Sequence, residues 1–276
     1  MTSTITKTQD GTLTIKVTIP WTETKKVWNE TVEEMVKNAN LPGFRKGKAP
    51  KKLVEDKLDK QTIKEETLRK LLPLGYFEAV KTHNLKPIID PKIHVEGGLD
   101  EGKDWIFEAV TCEVPEITLG EYKEAIQKIT ASGKIVVPGK EAEEPKFEDI
   151  VKALIESVAT TIPQILLDRE VDRLLGQTID DVKKLGMSLD QYLASTGRTA
   201  ESLRSEYAAK AEADIKLEFA LQKVAEAEKI IANDSDIEKA ISEAKNPQER
   251  QSLEQNKYLL ASIIRQQKTL DFLKHM

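Results

Sequence analysis

Cysteine is almost missing from this chain: Cys112 is the only one in 276 residues, so no disulfide can close within it and nothing asks for an oxidising compartment. In a strand, it reads as one more small apolar side chain. Histidine is nearly as scarce. His83 falls near a helix end, His94 on the polar side of a strand and His275 at the terminus, and none has a second His or a Cys at metal-ligand spacing. Long apolar runs are absent as well, none approaching the roughly 18 residues of a membrane span. The opening MTSTITKTQDGTLTIKVTIP has neither the basic start nor the continuous apolar stretch of a secretory signal, and the expectation is a cytoplasmic protein with no membrane partner. No nucleophile elbow, dinucleotide glycine motif or EF-hand loop occurs. These absences leave no catalytic residue, metal site or cofactor to expect. Any binding and release of a partner then runs on affinity alone.

What the chain does have is charge and helical periodicity. Charged residues make up 32% and hydrophobic residues 39%, aromatics only 5%, and the net charge is -5. Residues 1 to 119 carry 19 basic and 19 acidic side chains against 23 and 28 in the remainder, so the front is neutral and the back acidic. The many Glu/Lys pairs at helical spacing are those of solvated helix faces rather than acid/base dyads.

One stretch reverses the sign. From Phe44 to Lys52 there are five cations, Arg45, Lys46, Lys48, Lys51 and Lys52, and no carboxylate. Pro42-Gly43 and Gly47 break any regular element there, and Pro50 is placed to start a helix, so Leu41 to Pro50 reads as the tip of a hairpin between two helices. The tip is not a P-loop, because three residues rather than four separate Gly43 from Gly47 and Ala49 follows Lys48. Its chemistry leaves two readings open. The cations and Phe44 suit an anionic partner, with Phe44 stacking and Arg45 forking onto phosphate or carboxylate. Alternatively, Phe44 folds back between its flanking helices and the cations form an ordinary solvated face.

Along the chain, residues 12 to 19 alternate strictly and pair with residues 3 to 8 across Gln9-Asp10-Gly11. Thr22 to Ala39 is helical, Pro50 to Leu58 a short helix, and Thr62 to Asn84 a longer one that Pro73 should bend. Strands are expected over Pro87 to Leu99 and Lys103 to Pro115. Strands, helices, then strands give an α+β amino-terminal domain, a sheet plus helical hairpin, over 1–115. Residues 116–146 read as a linker, partly helical over Glu116 to Thr130 and then, over Ala131 to Pro145, the proline- and glycine-bearing stretch ASGKIVVPGKEAEEP. Residues 147–276 are helical throughout, an all-α carboxy-terminal domain that makes the chain mainly α overall. Ser188 with Gln191 and Ser235 with Glu238 form capping boxes there, and Thr199 caps a long helix. Tyr258, Leu259, Ile263, Leu270, Phe272 and Leu273 supply the closing stripe, and periodicity does not say which of them are exposed, because a stripe that binds a partner looks the same as one that packs a core.

GFRKGKAP resembles the signature loop of the trigger factor family, bacterial chaperones of the ribosome exit tunnel, with Gly43, Phe44, Arg45, Gly47 and Pro50 where that pattern wants them. The order of the front elements resembles that family's ribosome-binding domain, and EVPEITLGEYKEAI its exit. IPQILLDREVDRLL, the stretch from GMSLDQYLAS to LQKVAEAE, and LEQNKYLLASIIRQQKTLDFLKHM resemble its helical carboxy-terminal domain. The resemblance covers nearly everything but the linker. Most members carry a prolyl isomerase domain where this chain has 116–146, and domains seldom form below about 50 residues. The resemblance is therefore to a short form without that domain and implies no isomerase activity.

The resemblance implies an ATP-independent molecular chaperone that docks beside the exit tunnel through Gly43, Phe44, Arg45, Lys46, Gly47 and Lys48. Its implied partners are the large ribosomal subunit, both protein and rRNA, and unfolded or nascent polypeptides. It leaves open pairing into a homodimer off the ribosome. The alternatives are a ribosome-binding assembly or protection factor without a chaperone role, and a residual peptidyl-prolyl isomerase.

Overall fold

The computed structural model describes residues 1–39, 59–133 and 146–276. They form two compact units, Met1–Val114 with Pro163–Ile165, and Pro115–Ile162 with Leu166–Met276.

In the first unit the alternating segment becomes β2 (Thr12–Ile19), paired antiparallel with β1 (Thr2–Lys7) on one side and β4 (Trp105–Cys112) on the other, while β3 (Lys92–Glu96) pairs with β4 at the far edge. The sheet order is β1-β2-β4-β3. Period-two alternation sends Leu13, Ile15, Val17 and Ile19 to one face, where they meet Trp105, Phe107 and Ala109 of β4 and all are buried. Each such apolar side chain removed from water contributes about 1.5–3 kcal/mol. β3 is shorter than the strand expected over Pro87 to Leu99. Pro87 and Pro91 have no N–H for a ladder, and the stretch before β3 is held by single bonds instead, Ile88 N to Cys112 O (3.0 Å) and Thr111 Oγ1 to Ile89 O (2.9 Å).

Two helices cover the apolar face, α1 (Trp21–Asn38) and α2 (Lys60–Thr82). The face of α2 turned inward repeats every fourth residue, Ile63, Thr67, Leu71, Gly75 and Ala79. Gly75 lets the helix approach the sheet, since a Cβ there would sit 3.2 Å from the Phe107 ring and from a Val17 methyl. The helix continues through Pro73. α1 is fixed by Trp28, whose ring meets Trp105 edge-on at 6.4 Å between centroids, and by Glu34, which pairs with Lys70 of α2 at 2.6 Å.

The second unit begins at Pro115 and takes in the segment expected to be partly helical. Ile117–Leu119 is a strand, β5, and Tyr122–Gly133 a helix, α3. The physical reason is apolar content: Tyr122 and Ile126 are buried in the unit's main core. β5 pairs antiparallel with β6 (Val158–Thr160), a strand the sequence reading did not anticipate, which follows α4 (Phe147–Ser157) directly. The pair ends at Gly120, whose N–H donates to Ser157 O at 3.0 Å, while a Cβ at that position would come within 2.6 Å of the same oxygen.

The remaining helices are α5 (Gln164–Lys184), α6 (Leu189–Thr196), α7 (Ala200–Ala227), α8 (Asp234–Ser242), α9 (Pro247–Gln255) and α10 (Lys257–Lys274). The main core joins Ile150 and Leu154 of α4, Ala220, Leu221 and Val224 of α7 and Leu273 of α10. A smaller cluster, Val171 and Leu174 of α5 with Ala211 of α7, is extended by a 2.6 Å bond between the Thr178 and Tyr207 hydroxyls. Ser188 and Gln191 form the expected capping box, and Thr199 caps α7 with Ser202. The cap of α8 is Asn233, whose N–H donates to Asp236 (2.8 Å); Ser235 lies inside the helix, so the expected box of Ser235 and Glu238 does not form.

Candidate functional site

The six residues singled out in the basic tip, Gly43, Phe44, Arg45, Lys46, Gly47 and Lys48, lie outside the described residues, as does the short helix expected over Pro50 to Leu58. What is described is the base that carries them. α1 ends at Asn38 with Ala39 as its extended C-cap, and α2 starts after Asp59. Asp59 is a side-chain cap: it accepts from Gln61 N (3.2 Å), Thr62 N (3.3 Å) and the Thr62 hydroxyl (3.1 Å). Those bonds, led by Gln61 N–H, hold its carboxyl below the usual range for aspartate. Residues 40–58 thus join two helices that pack on each other and on a buried sheet face.

A second feature lies wholly within the second unit. Between α7 and α10, with the turn after α7 at one end, is a groove of about 490 Å³. Leu221, Ala225 and Ala261 give it an apolar wall; Glu218, Gln222 and Arg265 stand among them as polar groups. Small residues on both helices leave the space. The turn is tied down from α10: Arg265 Nε donates to Ile230 O at 3.0 Å, and Lys268 Nζ to Ile231 O at 3.4 Å and to the Asp236 carboxylate. The Lys268 contact, followed by the Asn233 N–H, holds Asp236 below its usual range.

The same turn and helix expose bulky apolar side chains. Ile231 is 63% exposed, Tyr258 96%, Leu259 62% and Ile263 50%. Tyr258, Leu259 and Ile263 share the closing stripe of the sequence with Leu273, and the structure separates them: Leu273 is buried and these three are exposed. Leu260, Thr269 and Leu273 are the residues of α10 that are buried. The helical period alone does not separate Leu259 from Leu260, since adjacent positions can both fall on a stripe about 100° wide or more.

Chemically this groove can take up an apolar side chain, and its Glu218, Gln222 and Arg265 can meet the amide groups of an extended chain. Among the described residues no group of three or more His, Cys, Asp and Glu side chains is placed to hold a metal ion. No described helix is long and apolar enough to cross a membrane.

Two family models match the chain. One, described as bacterial trigger factor protein, covers residues 1–144, and the other, bacterial trigger factor protein C-terminus, covers residues 119–275. They overlap, so no residues of this chain fall between them. Among curated relatives, the trigger factors of Staphylococcus aureus strains JH9 and Newman are each 35% identical over 123 residues, which is 45% of this chain and 28% of the relative. The matched region is thus well under a third of those proteins. A solved structure, from work on promiscuous substrate recognition in the folding and assembly activities of the trigger factor chaperone, superposes over 100% of this chain and 99% of its own, with a TM-score of 0.68 at 16% identity. At that identity the likeness speaks for the fold.

Proposed function

The chain belongs to the trigger factor family, and from that premise we propose that it is an ATP-independent molecular chaperone that docks on the large ribosomal subunit near the exit tunnel and shields apolar segments of emerging polypeptides. Docking runs through the tip: Phe44 and Arg45 make the principal contacts, Lys46 and Lys48 add charge toward rRNA, and Gly43 and Gly47 let the backbone bend between them. Shielding falls to the helical second unit. The protein works by binding alone, with no isomerase step.

The observation that carries this reading is the open apolar surface of α10 and the turn after α7. A folded domain ordinarily buries Leu and Ile side chains, and a group of them left in water beside a groove marks an interaction surface. Ile231, Tyr258, Leu259 and Ile263 are such a group. Polar residues among the groove walls suit clients of varied sequence, because they satisfy main-chain amides that every client has.

The test is light scattering of a chemically denatured reporter enzyme diluted into buffer with the full chain. The expected result is suppressed aggregation by the unaltered protein and a severalfold weaker effect with Ile231→Asp and Leu259→Asp together. Both side chains are exposed, so the fold should be unaffected. Equal suppression by the double variant would remove the groove from the account, and no suppression by either protein would remove the chaperone reading.

A further inference from the structure

The two edges of the first unit's sheet differ in how they are protected. β3 is short, follows Pro91, runs into Gly97-Gly98 and carries Lys92, His94 and Glu96 along one face. Those are the devices that keep a strand edge from recruiting another strand. β1 has fewer of them, its one charged side chain being Lys7 at the end. Thr2 to Lys7 holds an unbroken six-residue register with β2, with no proline, no glycine, no bulge and no charge before Lys7. It is last in the sheet order, and among the described residues no backbone hydrogen bond joins Thr2 to Lys7 to anything but β2. In an antiparallel edge strand alternate residues direct both N–H and C=O outward.

A pocket opens beside this edge. A space of about 250 Å³ lies between the first residues of β1 and the last turns of α2. Gly75 and Ala79 form its helix wall and Val17 its floor, while Met1, Ser3, Glu78, Thr82 and His83 stand around it with polar or charged atoms. The Ser3 hydroxyl and His83 Nε2 are 3.0 Å apart, joining the strand to the end of the helix. An edge strand running beside a helix, with a side-chain pocket between them, is the arrangement by which a peptide is added to a sheet: main-chain bonds supply affinity and the pocket selects alternate side chains.

We infer that β1 is a second polypeptide-binding site, at which an extended segment of an unfolded chain adds as a fifth, outer strand and places one medium-sized apolar side chain in the pocket beside Gly75 and Ala79. A second copy of this chain is the rival occupant, and the dimer outcome of the test below would show it. This site goes beyond the proposed ribosome docking and does not depend on it.

The test uses the full chain and a fluorescein-labelled hexapeptide of alternating valine and threonine, followed by anisotropy, with hydrogen exchange of the β1 amides as a second readout. The peptide is expected to bind and to slow exchange at alternate residues of Thr2 to Lys7. N-methylation of its alternate amides should weaken binding at least about tenfold, since it removes the main-chain donors. Thr82→Phe, a change at an exposed position that fills the pocket mouth, should weaken it by a similar factor. Ile231→Asp with Leu259→Asp should leave it unchanged, which separates this site from the groove on α10. Equal binding of the N-methylated peptide, unchanged β1 exchange, or a concentration-dependent dimer that the peptide does not dissociate would each overturn the inference.

Discussion

Thr31 of α1 and Thr67 of α2 lie in the interior of the first unit, and neither hydroxyl has a hydrogen-bond partner among the described residues. A buried donor left unsatisfied costs about 1–3 kcal/mol, and valine has nearly the same shape without that cost. Thr31→Val and Thr67→Val should each raise the first unit's stability by about 1 kcal/mol in chemical denaturation. A loss of similar size would mean that the hydroxyls are bonded in solution. These two residues also show where reading from apolar pattern stops. The buried face of α2 contains Thr67 and Gly75, which carry no apolar signal, beside Leu71 and Ala79, which do, while the equally apolar Leu68, Leu72 and Val80 are only partly buried. The face was set by what fits against Phe107 and Val17, and that is a property of the partner surface.

At the scale of elements, what depends on neighbours in sequence was legible. The alternation of β1 and β2, the capping box of Ser188 and Gln191 and the cap at Thr199 all appear as read, because each is decided within a few residues. What depends on distant partners was not. β6 exists only because Leu119 finds Val158 across the chain, and the packing of α3, whose helix was legible in part, is set at its start by the end of α7. That last junction has a titratable centre. Glu228, the C-cap of α7, accepts from Lys123 Nζ at 2.7 Å and from the Tyr122 hydroxyl at 2.8 Å. The Lys123 contact first and the Tyr122 bond second hold the Glu228 carboxyl below the usual range. Burial, then the bond to Glu228, pushes the Tyr122 phenol up. A carboxyl depressed in the folded state contributes stability that is present above its unfolded pKa and is lost as pH falls through the folded one. The second unit should therefore lose thermal stability on acidification below about pH 4, the ordinary glutamate range. Glu228→Gln, which keeps an oxygen for Tyr122, should flatten that fall when midpoints are compared across the same pH series. An unchanged slope in the variant would place the acid sensitivity elsewhere.

For the whole molecule the decisive contrast is one of charge. A chain of net charge -5 carries five cations and no carboxylate between Phe44 and Lys52, so attraction to an anionic surface is concentrated in one place and opposed by the rest. This much of the candidate site was legible in the sequence, because a run of like charge and a glycine-flanked aromatic are local facts. The proposed client surface was not, since a stripe that packs a core and a stripe that faces water have the same period, and only the structure separates Leu260 from Leu259. The central claim, that the tip holds this chaperone on the ribosome, is tested most directly by co-sedimentation of the full chain with ribosomes, comparing the unaltered protein with Phe44→Ala, Arg45→Ala and Lys46→Ala combined. The account predicts that the unaltered chain pellets with ribosomes while the triple variant, with an unchanged circular dichroism spectrum, stays in the supernatant. Equal pelleting of the two would contradict it.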